Sequence, residues 1–70
     1  MTTYNLTFDP SGWLEITYYQ VVKEETTVVQ STSYHPTQLE LINADCEKNS
    51  VKIEDTDAEA IAKWVADYSV

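Results

Sequence analysis

Asp55, Asp57 and Glu59 alternate through the stretch EDTDAE at 54–59, the way a calcium loop presents its first ligands. Such a loop also needs Gly at its sixth position and a bidentate Glu at its twelfth, and this chain has Ala60 and Ala66 there. The spacing argues against a metal ion, and no cofactor is expected. Paired carboxylates can also act as general acid and base. A 70-residue domain, however, needs its apolar groups for its core and has little left to shape a pocket. His35, the only histidine, stands in SYHPT with no Ser–His–Asp or Cys–His spacing around it, and reads as a loop residue leading into Pro36. Cys46, the only cysteine, falls on an apolar helical stripe and reads as a small core hydrophobe rather than a nucleophile. The chain is expected not to be an enzyme.

What remains is charge. Twelve Asp and Glu stand against four Lys and no Arg, a net charge of −8. Phosphates are bound by Lys and Arg patches, so direct contact with DNA, RNA or an anionic membrane is excluded, and a basic protein surface is the natural complement. Some of this charge has a local use, because Asp55, Asp57 and Glu59 in a first helical turn meet free backbone N–H groups, each worth about 0.3–1 kcal/mol. Glu24 and Glu25 at a hairpin tip, Glu40 and Glu47 on one helix face, and Glu54 in a connector have no such use. The lone cysteine suits a reducing compartment, and the start of the chain has neither a basic n-region nor an apolar h-region. The expected location is the cytoplasm.

These residues need a scaffold, and the pattern supplies one. YNLTF alternates with the period of a half-buried strand, and DPSG at 9–12 has type I turn chemistry. WLEITYYQVV sends Leu14, Ile16, Tyr18 and Val22 to one face, KEET breaks the run, and TVVQSTSY makes a third strand. The spacing then changes to that of helices. One is predicted at about 37–48, with Thr37 and Glu40 as a capping box, Leu39, Ile42 and Cys46 as its stripe, and Asn49 as C-cap. A second is predicted at about 56–68, with Thr56 and Glu59 as its box and Ala58, Ile61, Trp64, Val65 and Tyr68 as its stripe. Val51–Ile53 is either a fourth strand or a linker. The expected fold is α+β, a three- or four-stranded antiparallel meander with two C-terminal helices on one sheet face, as one domain over 1–70. Trp64 and Ile61 are expected in the core, and Trp13 and Tyr19 on the opposite sheet face. There they pack on a strand neighbour or stay partly exposed, or else serve as apolar anchors for a partner or as a homodimer face.

A short, very acidic, cysteine-poor chain of this make-up resembles small phage-encoded host-defence inhibitors of the anti-CRISPR and anti-restriction type. The likeness lies in composition across the whole chain, not in a motif. It implies a non-catalytic inhibitor that blocks the basic nucleic-acid-binding surface of a host protein complex, in its strongest form by DNA mimicry. Lys48 and Lys52 beside the acidic cluster depart from an all-acidic mimic and leave room for blocking by ordinary protein contacts. The expected contacts are Glu24, Glu25, Glu40, Glu47, Glu54, Asp55, Asp57 and Glu59, with Trp13 and Tyr19. The alternative is a small virion or tail accessory protein that oligomerises through its sheet.

Overall fold

A computed structural model describes residues 1–68. Strands β1 (Thr2–Phe8), β2 (Leu14–Val22) and β3 (Glu25–Tyr34) are followed by helices α1 (Leu39–Lys48) and α2 (Asp55–Tyr68). The sheet is antiparallel in the order β1-β2-β3, so each strand pairs with its sequence neighbour. Rows run Phe8–Leu14–Tyr34, Leu6–Ile16–Thr32 and Tyr4–Tyr18–Gln30 across one face. Leu14, Ile16 and Tyr18 of the central strand are fully buried, and with Tyr34, Ile42, Cys46 and Ile61 they form the core. The α+β meander read from the sequence is the fold observed.

Both turns have a physical origin. In DPSG the Asp9 carboxylate accepts hydrogen bonds from the Ser11 N–H and hydroxyl, both at 2.8 Å. The Gly12 N–H closes the turn on the Asp9 carbonyl at 2.9 Å, and Gly12 has φ +97°, a conformation that L side chains rarely adopt. The β2–β3 turn holds Lys23 at φ 49° and Glu24 at φ 69°, the positive angles of a type I′ hairpin without its usual Asn-Gly.

The helices depart from the predicted ends. Thr37 does not cap α1: its hydroxyl lies 2.9 Å from His35 Nδ1, and the N-cap position falls to Gln38 with no side-chain cap. Asn49 is the C-cap as expected. Beyond it Ser50 takes φ 57°, and the Ser50 and Val51 N–H groups bond the Glu47 and Cys46 carbonyls, a Schellman ending without glycine. Thr56 is not a cap either. The helix opens one residue earlier, with the Ala58 N–H on the Glu54 carbonyl at 2.8 Å. Val51–Ile53 is a connector, not a fourth strand; Val51 and Ile53 pack on the core and Lys52 is exposed.

Three apolar assignments also shift. Val22 is 54% exposed, because the hairpin runs on past the helices. Register slips between Tyr18 and Tyr19, leaving Val29 as the extra residue of a β-bulge. Trp64 is half-buried at the sheet margin, with its ring edge on Phe8 and its indole N–H donating to the Gly12 carbonyl at 3.0 Å. Tyr68 is exposed, its ring edge against His35.

Candidate partner-binding surface

The carboxylates fall into groups defined by their elements. Glu54, Asp55, Asp57 and Glu59 sit at the start of α2, where the unsatisfied N–H groups of the first turn favour negative charge. Tyr4 fixes this end to the sheet. Its hydroxyl donates to the Asp57 carboxylate and accepts the Glu54 N–H at 3.0 Å. Burial, together with the bond to Asp57, raises the Tyr4 phenol above its ordinary range, against an opposing pull from the Glu54 N–H. Asp57 therefore has a structural bond and is half-buried, whereas Glu54, Asp55 and Glu59 are exposed. EDTDAE is the charged opening of a helix. Among the described residues no three metal-ligating side chains converge.

Glu40 and Glu47 lie on α1, both exposed, and helical periodicity puts them on one face. Glu24 and Glu25 are at the hairpin tip, on an arm that the helices do not cover. The molecule measures 45 × 20 × 19 Å, so its acidic groups are spread along a rod rather than gathered at one point.

The open face of the sheet is different. Alternation assigns to it Thr3, Asn5 and Thr7 of β1, Glu15, Thr17 and Tyr19 of β2, and Ser31 and Ser33 of β3. Glu15 is the one formal charge among these, and Thr17 Oγ1 lies 3.3 Å from Ser31 Oγ. Tyr19 belongs to this face. Trp13 does not lie within β2: it precedes the strand and packs edge-on against His35 at 5.4 Å, and His35 in turn meets Tyr68 of α2 at 4.7 Å. Trp13 and Tyr19 therefore do not form one anchor face.

The space between the helices is a feature that the apolar stripes do not announce. α1 stands over β3, through Tyr34–Asp45 and Gln30–Asn49 hydrogen bonds, and α2 over β1, through Tyr4–Asp57 and Phe8–Trp64. Between them opens an apolar groove of roughly 330 Å³, whose floor is Ile42, Ile53 and Ile61 and whose walls are Leu39, Ala58 and Ala62. The small Ala58 and Ala62, four apart beside Ile61, were the one sequence signal that this flank of α2 leaves room.

No helix among the described residues is long and apolar enough to cross a membrane. The fold defines a small α+β class, a three-stranded meander with two helices on one face. Neither a known family, nor a curated protein, nor a solved structure matches the chain significantly.

Proposed function

We propose that this chain is a non-catalytic acidic binding protein. It acts as a phage-type, anti-CRISPR-like inhibitor that occupies the basic nucleic-acid-binding surface of a host protein complex. One observation supports this reading above others: exposed carboxylates are concentrated on the helical layer and hairpin tip, while the open sheet face is nearly neutral. Solubility alone would be served by charge on any surface. A field with one acidic side steers encounter with a basic partner and sets the orientation of docking. The contacts are Glu40, Glu47, Glu54, Asp55 and Glu59, with Glu24 and Glu25 at the far end of the rod.

The test is competition. Tagged protein is used to isolate its partner from nuclease-treated host lysate, and labelled DNA and RNA are then titrated against the complex. The expected result is mutual exclusion, with binding that weakens steeply as salt rises. A partner that holds nucleic acid and this protein together would overturn the proposal. A second reading, an assembly subunit, draws on the two sheet edges β1 and β3, which lack the Lys and Pro that usually guard such edges. Its mark is salt-insensitive self-association.

A further inference from the structure

We infer that the groove between α1 and α2 receives one amphipathic, basic helix of the partner protein. The groove is lined by apolar side chains and Asn43, and its walls are solvent-facing: Leu39 is 41% exposed, and Ala58 and Ala62 are exposed as well. Helical periodicity sets the rim. On α1, Glu40 and Glu47 follow Asn43 around the helix; on α2, Asp55 and Glu59 follow Ala62. Both banks of an apolar trough therefore carry carboxylates; helical periodicity turns Lys48 away from it, and Lys63, one turn beyond Glu59, lines the other side of α2 with Phe8 and Trp64.

An apolar trough with acidic banks is complementary to a helix with a hydrophobic stripe flanked by Lys and Arg. A small apolar ligand would leave the banks unused. A second copy of this chain fits poorly, because each copy carries −8 and the facing rims would have the same sign. This assignment rests on the proposed basic partner, and it replaces Trp13 and Tyr19 with Leu39, Ile42, Ile53 and Ile61 as the apolar contact.

The probe is a synthetic peptide with Leu at helical spacing and Lys on its remaining faces, compared with a scrambled isomer of identical charge. Binding is read by titration calorimetry at two salt concentrations. The amphipathic peptide should bind about tenfold or more tighter than the scramble. Ala62→Trp fills the trough without changing charge and should weaken binding about tenfold with the salt dependence retained; Ala58→Leu is the milder second variant, and circular dichroism checks both folds. Glu40→Gln with Glu59→Gln should weaken binding and flatten the salt dependence. Equal binding of peptide and scramble, or indifference to both groove-filling variants, would overturn the assignment. So would a dimer in sedimentation that Ala62→Trp dissolves, since the occupant would then be a second copy. The two proposals fail separately. If groove-filled protein still displaces nucleic acid from the partner, the groove is wrong and the acidic reading stands. If the peptide seats in the groove but the partner keeps its nucleic acid, the reverse holds.

Discussion

Four side chains from three elements form a polar chain through the core. Tyr34 donates to the Asp45 carboxylate at 2.6 Å, so its oxygen is left to accept from Tyr18 at 3.0 Å. Tyr18 has then spent its only proton, which leaves the Cys46 thiol as donor across 3.8 Å. Burial is the first cause that pushes the Tyr18 and Cys46 groups above their ordinary ranges, and burial together with the Asp45 carboxylate pushes Tyr34 up to about 12. A phenol with a raised folded pKa contributes stability that is fully present below its unfolded value of about 10 and is lost as pH rises through about 12. Urea midpoints should therefore be flat from neutral pH to about 9 and fall between about 10 and 12. Tyr34→Phe should cost about 1–3 kcal/mol at neutral pH and make that fall shallower, both read from urea unfolding. A midpoint as flat at high pH as at neutral pH would mean that the phenols are not buried as described. Alternation in WLEITYY made Tyr18 legible as a core residue. Its partners were not legible, because the pairing of a strand tyrosine with a helix aspartate depends on where α1 lands.

Turn chemistry was easier to read than helix capping. DPSG announced its own geometry, since the Asp9 carboxylate, the Ser11 N–H and hydroxyl, and the Gly12 N–H are all paired within the turn. The predicted capping boxes failed because a competing neighbour intervened: His35 takes the Thr37 hydroxyl, and the tie from Tyr4 to the Glu54 N–H starts α2 a residue early. Two substitutions separate backbone strain from packing. A Cβ at Gly12 would meet nothing within 4 Å, so Gly12→Ala tests φ alone and should cost about 1 kcal/mol in thermal or urea unfolding. Lys23→Asn with Glu24→Gly relieves two non-glycine residues at positive φ and should stabilise the hairpin by about 1 kcal/mol or more. No gain in the double variant would show that the turn is not of the I′ type. Trp64, expected at the centre, sits at the margin because its indole N–H needs an acceptor and finds one in the turn at Gly12.

The whole molecule is longer than its core. Helices cover the rows from Leu14 to Tyr18, and beyond them the β2–β3 arm exposes Val22, Val28 and Val29. Sequence alternation says which side a residue faces, but it cannot say whether anything lies over that side, and Val22 shows the difference. The same limit hid the groove, since Leu39 and Ala58 belong to apolar stripes whose neighbours are set by the spacing of two helices over a sheet. Hydrogen exchange should divide the chain accordingly. Amides of the arm, at 20–28, should exchange well before those of 14–18 and 30–34, because the arm has few buried contacts to hold it closed. Uniform protection along β2 and β3 would mean that something covers the arm in solution.

The neighbour-to-neighbour order of the strands also has a kinetic consequence. Each sheet pairing closes a loop that spans only one turn, and the two helices follow without crossing back between strands. Local pairing of this kind favours rapid formation of the sheet, and the entropy lost at each of its closures is small, whereas docking α2 joins Tyr4 to Asp57 and Gly12 to Trp64, residues 53 and 52 apart. A nascent chain could complete its three strands before α2 is synthesised, with the helices then docking onto a surface already formed. A stopped-flow refolding trace in a single fast phase would bear this out; a slow dominant phase would place the barrier in helix docking instead.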